Sequence, residues 1–265
     1  LAMAAIPYEQ QAALTFPGVF GTIAPAYFAR HDAGRNHLMD VTIKSHDNAA
    51  LNPRAQYRST VQEMMQSKIE RARAKGKAVP SWENEKAFLG DPAANPVVAW
   101  PLHLFDCCPI SDGAGCLLLV ASEIASRFTD DPLQVAGIGQ GSGRGLQAAE
   151  DLTSFEATRA AAHEAYQMAG LKPADIQFAE VHDCFSIAEL LHIEDLGFFE
   201  HGTGHLAVAD EMTRLNGSMP INTSGGLKCK GHPVGATGAG QLVEVWTQLR
   251  PVSYTHLTLP TILLV

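Results

Sequence analysis

The chain has 265 residues, 46% of them hydrophobic and 18% charged, which excludes a collagen, a coiled coil or a wholly disordered polymer and leaves enough apolar material for a buried core. Nineteen Lys and Arg against 28 Asp and Glu give a net charge of −9, the wrong sign for a nucleic-acid surface. No uninterrupted apolar stretch of about 18 residues is present, so no membrane span is expected.

The N-terminus, Leu1-Ala-Met-Ala-Ala-Ile6-Pro7, has no basic region and reads as a cut end with no targeting signal, in keeping with a cytoplasmic protein. To about residue 100 the chain is irregular, punctuated by Gly18, Gly21, Pro25, Pro53, Pro80, Pro92 and Pro96. Within it residues 36–50 can hold a helix. Residues 59–77 read as a second, exposed and charge-rich helix. Residues 114–121 (AGCLLLVA) follow the turn signal Ser111-Asp112-Gly113 and have the continuous apolar pattern of a buried strand. Residues 135–138 read as a short strand entering a glycine-rich turn at 137–145. A helix is expected from a Ser154 cap through Met168, stopped by Gly170. A strand follows at 176–181, a helix at 187–196 ending at Gly197, a short strand at 219–222 and an amphipathic helix at 236–249. This alternation predicts an α/β sandwich around a largely buried sheet.

Residues 251–265 carry no Asp, Glu, Lys or Arg. The run Val252-Ser-Tyr-Thr-His-Leu257 resembles the translation of a transposon-end adapter, so this tail is expected to be non-native read-through beginning near Arg250. The alternative is an ordinary final strand.

The five cysteines, Cys107, Cys108, Cys116, Cys184 and Cys229, are odd in number and form no C-x-x-C pair. That pattern speaks against a disulfide framework or a zinc ribbon and for a reducing compartment. His201-Gly-Thr-Gly-His205 has a spacing that binds zinc on a helix, but its two glycines favour a loop, so both histidines read as surface residues and no metal is expected.

Two clusters carry chemistry. In Glu180-Val-His182-Asp183-Cys184-Phe185-Ser186, residues two apart face the same way on an extended segment. His182 and Cys184 can therefore point into one cavity while Asp183 points away. A cysteine beside an imidazole and a helix N-terminus has its thiolate favoured. The alternative is a structural cysteine beside a core histidine. The second cluster runs from Asn222-Thr-Ser-Gly225-Gly226 through Cys229-Lys-Gly231-His232-Pro233 to Gly240. Its paired glycines allow close backbone approach to a ligand. Pro233 lies about where a helix would start, and the dipole end there would keep the His232 imidazole neutral. The alternative is a glycine-rich packing turn. A phosphate-loop motif is absent, and Gly137-Ile-Gly-Gln-Gly-Ser-Gly143 fails G-x-G-x-x-G in every register.

HDCF at a strand-to-helix junction, followed by NTSGG and GHPVGATG opening a helix, resembles the thiolase superfamily, in particular the sterol-carrier-protein-type thiolases. Cys107-Cys-Pro-Ile-Ser-Asp-Gly113 is similar to that family's CCPxSDGA segment, and residues 36–57 to its preceding loop region. The resemblance covers residues 10–250. It implies a layered αβαβα thiolase fold truncated at both ends. Residues 1–134 would be the end of the N-terminal half with the loop insertion, and 135–250 an incomplete C-terminal half.

The resemblance further implies Claisen condensation or thiolytic cleavage of 3-oxoacyl-CoA with coenzyme A through a cysteine acyl-enzyme, with no permanent cofactor. His232 would activate the nucleophile and help bind an oxyanion. His182 would donate to the thioester oxygen, and Cys184 would be the acid/base thiol with a pKa near working pH. Asn222, Ser224, Gly225 and Gly226, with Phe185 and Gly231, form the candidate substrate-binding set, shaping the loop rather than reacting. Cys229 reads as a pocket-rim or packing thiol, and the basic residues of 54–77 are phosphate partners for CoA.

The family's acylated cysteine lies upstream of this chain, so these residues alone are expected to be inactive. A homodimer or higher homo-oligomer is implied. Two further readings are a retro-aldolase acting on a steroid side-chain acyl-CoA beside a small accessory protein, and a non-catalytic acyl-CoA or lipid-binding subunit. Cys184 counts against the first, because that branch tends to lose it. The retained His182 and His232 count against the second.

Overall fold

The computed structural model describes residues 14–250 together with Tyr254 and Thr255, so the start of the chain and nearly all of the 251–265 tail lie outside the described residues. The first helix among the described residues, α1 (Phe16–His31), continues through Gly18, Gly21 and Pro25, the residues expected to break it. Pro17 falls in the first turn, where its missing N–H costs nothing, and Thr15 caps that turn by accepting the Gly18 N–H. Gly21 is there for proximity: a Cβ at that position would come within 3.1 Å of the carbonyl oxygens of Ala99 and Trp100.

Helix α2 (Arg35–Leu51) falls where the periodicity places it. Helix α3 (Val61–Ala74) opens on a reciprocal cap: the Thr60 hydroxyl accepts the Glu63 N–H at 3.1 Å and the Glu63 carboxylate accepts the Thr60 N–H at 2.9 Å. A short helix, α4 (Glu85–Gly90), leads to a small antiparallel hairpin of β1 (Val97–Ala99) and β2 (Leu102–His103). Met39 and Ile43 of α2, Val61, Met65 and Ile69 of α3, and Phe88 and Leu89 of α4 form a core of their own.

The second half contains α5 (Glu156–Ala169), α6 (Ser186–Asp195), α7 (Gly204–Ala209), α8 (Gly226–Cys229) and α9 (Thr237–Gln248). Phe155, not Ser154, is the cap residue of α5, and Gly170 ends that helix in the left-handed conformation its φ of 67° requires. Ser154 instead gives its hydroxyl proton to Asp195 at 2.6 Å. Helix α6 is the keystone: Ile187, Leu190, Leu191 and Ile193 are all fully buried, packed on Ile23 and Tyr27 of α1 and Leu38 and Val41 of α2. Nine of its ten residues are buried, Glu189, Glu194 and Asp195 among them, so the helix lies inside the core and its charges must find partners there.

The expected sheet is only partly realised. Residues 176–181 and 219–222 meet through one parallel bridge, Ala179 to Ile221, fixed by Asn222 N–H to Ala179 O at 2.8 Å and Ala179 N–H to Pro220 O at 3.0 Å. Residues 114–121 form no ladder among the described residues. Leu118 and Leu119 stand 76% and 74% exposed, against the buried strand expected there. An apolar β-prone segment is buried only when strands flank it and a layer covers it, and neither happens here.

The glycine-rich stretch after residue 135 proves to be a packing seam and not a turn. A Cβ on Gly137, Gly139 or Gly141 would lie within 2.3, 1.9 or 2.2 Å of the carbonyl oxygens of Ala165, Ala161 and Ala157. Two residues of extended chain advance roughly 6.6 Å and four residues of helix roughly 6.0 Å, so alternate glycines meet every fourth alanine of α5.

Candidate active site

His182, Asp183 and Cys184 occupy the extended segment between the Ala179–Ile221 bridge and α6. Alternation separates the first two: His182 is exposed, while Asp183 is fully buried and accepts the Leu227 N–H at 2.7 Å; Cys184, expected to face the same way as His182, is buried. The His182 and His232 rings meet edge to face, centroids 5.0 Å apart and planes at 87°. His182 has an edge open to solvent, yet the surrounding protein and the neighbouring His232 pull its pKa down to about 4. Burial likewise lowers His232.

The cause of His232's neutrality differs from the sequence expectation. Helix α9 begins at Thr237, four residues beyond Pro233, so a dipole end at Pro233 is not what acts on the ring. His232 is held instead by its backbone N–H to Ser111 Oγ at 3.0 Å, by a parallel bridge to Ile110, and by Nδ1 to Thr237 Oγ1 at 2.7 Å.

Cys184 corrects a second expectation. Its side chain is buried, and its carbonyl accepts the Cys108 N–H at 2.9 Å. Burial first, then the proximity of Cys108 and Asp183, pushes its thiol well above the ordinary value, so the thiolate is disfavoured. The neutral thiol is the form present, a proton donor rather than a nucleophile. Phe185 turns inward and packs its ring on Phe20 at 4.7 Å, which removes it from any substrate surface.

The Asn222–Gly226 loop is built against protein. Asn222 is fully buried at a φ of 54°; its Oδ1 accepts the Val181 N–H and its Nδ2 donates to Glu189, both at 2.8 Å. Ser224 donates its hydroxyl to Glu180 at 2.5 Å and its N–H to the same carboxylate at 2.9 Å. Gly225 and Gly226 have φ of 96° and 62°. A Cβ on them would strike Ala49 at 2.5 Å and Asp183 at 2.1 Å, so the close approach they permit is to α2 and to the HDCF aspartate, not to a ligand. Gly231, at a φ of 119°, faces Ser111. Cys229 is fully buried with Ala49 and Ala55, a packing thiol.

Sequence reasoning missed the charged groups beneath these loops. Lys44 of α2 is buried against Glu189 of α6 at 2.7 Å and donates to Ile221 O at 2.9 Å. Lys228 is buried on Thr42 at 2.6 Å and on Ser186, whose hydroxyl donates to Asp106 at 2.9 Å. Within their own helices Lys44 and Glu189 read like any solvated charge, and since half of α6 is polar, nothing local marks Glu189 as enclosed.

The His201–His205 reading is also corrected. His205 is buried, its Nδ1 3.3 Å from the Tyr27 hydroxyl, because the N–H groups of Gly202 and Gly204 fold the loop onto Glu194, each at 2.8 Å. His201 remains exposed, with its Nδ1 3.1 Å from the same carboxylate. No grouping of three or more His, Cys, Asp or Glu with metal-binding geometry occurs among the described residues.

Comparison with known proteins points to the thiolases. Residues 140–255 match the thiolase C-terminal domain-like family. The chain is 41% identical over 246 residues to the acetyl-CoA acetyltransferase of Methanothermobacter thermautotrophicus, covering 92% of this chain and 57% of that protein. It is 29% identical over 240 residues to human sterol carrier protein 2, covering 88% of this chain and 39% of that one. It thus spans about half the length, or less, of these curated relatives. A chain of the Ltp2–ChsH2(DUF35) aldolase superposes with a TM-score of 0.71 at 23% identity, over 93% of this chain and 59% of that one, which shows the shared α/β fold. With both motif loops assembled around one histidine pair, residues 140–255 carry the thiolase C-terminal domain-like part of the chain, and the chain as a whole is similar to acetyl-CoA acetyltransferase and sterol carrier protein 2.

Proposed function

We propose that the protein carrying this chain is an acyl-CoA C-acyltransferase that condenses or thiolytically cleaves 3-oxoacyl-CoA with coenzyme A. The supporting observation is the His182–His232 pair, two imidazoles 5.0 Å apart and both held neutral, with the neutral Cys184 thiol two residues along the chain from His182. A neutral imidazole offers one N–H to a developing oxyanion and one lone pair to a proton, and an un-ionised thiol can protonate a carbanion. In this reading His232 activates the acyl-carrying cysteine, His182 donates to the thioester oxygen, and Cys184 is the acid/base group.

In this reading the acyl carrier is a cysteine other than Cys107, Cys108, Cys184 and Cys229. Burial raises the Cys107 thiol to about 12 and Cys108 to about 11, and raises Cys184 and Cys229 further, which suits none of the four as the nucleophile. The enzyme works as a homodimer or larger homo-oligomer.

In a chain extended to the length of its curated relatives, His232→Ala is expected to abolish acyl-enzyme formation from acetyl-CoA, read by mass spectrometry of the intact protein. Undiminished acylation removes His232 from its activating role. Cys184→Ser should acylate normally but fail to condense; normal acetoacetyl-CoA synthesis by that variant refutes the acid/base assignment.

A further inference from the structure

Thr237 is buried at the first position of α9, and its hydroxyl touches two groups. One is Nδ1 of His232 at 2.7 Å; the other is the carbonyl oxygen of Pro233 at 3.0 Å. A threonine hydroxyl has a single proton, and a carbonyl oxygen can only accept. Two oxygens held 3.0 Å apart attract each other only if the hydroxyl proton lies between them, so that proton points at Pro233. The contact to Nδ1 is then a hydrogen bond only if Nδ1 is the donor.

We infer that Thr237 fixes His232 in the tautomer with its proton on Nδ1, leaving the Nε2 lone pair free as the basic nitrogen of the site. The rest of the fold supports that geometry. Ala236 N–H shares the Pro233 carbonyl at 2.8 Å, which closes the turn between the histidine and the helix. Ser111 holds the His232 backbone from the other side, and Ser111 is itself anchored on Gln56 Oε1 at 2.6 Å. The ring can therefore rotate neither with its backbone nor against Thr237 without breaking a bond. Thr237 is a positioning residue: it acts through His232. That Nε2 serves as a base for carbon–carbon bond chemistry rests on the proposed acyltransferase function; the tautomer itself does not.

The test separates the two. In the nitrogen-labelled chain, two-bond proton–nitrogen NMR correlation of the His232 ring is expected to show a protonated Nδ1 and an unprotonated Nε2. Thr237→Ser keeps that pattern, and Thr237→Val, which preserves shape but removes the acceptor, moves the ring toward the Nε2-protonated form. In the extended enzyme Thr237→Val then slows acylation on the order of tenfold or more, restored by serine. An Nε2-protonated wild-type ring, or a valine variant with an unchanged ring and an unchanged rate, overturns the inference while leaving the acyltransferase reading intact. The expected tautomer in an extended enzyme that does not acylate leaves the inference standing and sinks the acyltransferase reading.

Discussion

Lys44→Met is expected to destabilise the fold by about 3–5 kcal/mol, the cost of leaving one member of a buried ion pair without its partner. Both side chains are essentially inaccessible, 1% for Lys44 and 0% for Glu189, so water cannot replace the ammonium once it is removed. The damage should not stop at stability. Glu189 also receives the Asn222 amide, and Asn222 holds the Val181 N–H immediately before His182. Loosening Glu189 therefore loosens the segment that sets the His182–His232 ring contact. The double variant Lys44→Met with Glu189→Gln keeps an acceptor for Asn222 while removing the orphaned charge, and should recover most of the loss. Urea unfolding of the single and double variants measures both effects. A Lys44→Met penalty below about 0.5 kcal/mol, the size of an ordinary surface change, means that Glu189 is not held as a buried anion.

Why this pair escaped sequence reading shows where such reading works. Alternation along an extended segment is a local property, and it separates the exposed His182 from the buried Asp183, whereas Cys184, which alternation puts on the side of His182, is buried as well. Helices α2, α3, α5, α6 and α9 also follow from local periodicity and caps, with ends displaced by a few residues at most. Helix α1 is hidden in the sequence because Gly18, Gly21 and Pro25 read as breakers, yet all three lie within it. Gly21 is a contact point for the hairpin, and Pro17 sits where proline is harmless.

Burial of residues 114–121 was over-read, since an apolar run says that a segment can be buried and not that neighbours are present to bury it. The Cys184 thiol went astray for a related reason. Its helix-end position is visible in sequence, but the enclosure that outweighs the helix end comes from Cys108 and Asp183, groups assembled only in three dimensions. Lys44 and Glu189 meet across 145 residues of chain, a juxtaposition that no local pattern encodes.

Asp183→Asn should change the pH dependence of stability rather than its overall level. Burial, reinforced by the nearby Glu189, raises the Asp183 carboxyl from 3.8 to about 7 in the folded protein. Over that interval the folded state keeps a proton that the unfolded state has released. The group therefore contributes stability that is full below pH 3.8 and is lost as pH rises through 7. Histidines held neutral act in the opposite sense. His46, buried and lowered from 6.5 to about 4, contributes stability that is full above pH 6.5 and is lost as pH falls toward 4. In the wild type the two terms oppose each other between pH 4 and 6.5.

The asparagine variant keeps an oxygen for the Leu227 N–H but cannot ionise, so only the histidine term is left. Relative to wild type it should gain about 3 kcal/mol between pH 5 and pH 8, at roughly 1.4 kcal/mol per pH unit over the two units between pH 5 and the folded pKa. It should also lose stability more steeply on acidification below 6.5. Urea midpoints for both proteins at pH 5 and pH 8 decide the matter. A constant difference between them would mean that Asp183 keeps one charge state throughout. In that case the contact between the HDCF segment and the Gly226–Leu227 turn would be indifferent to pH across the physiological range, and its role would reduce to the single Leu227 hydrogen bond.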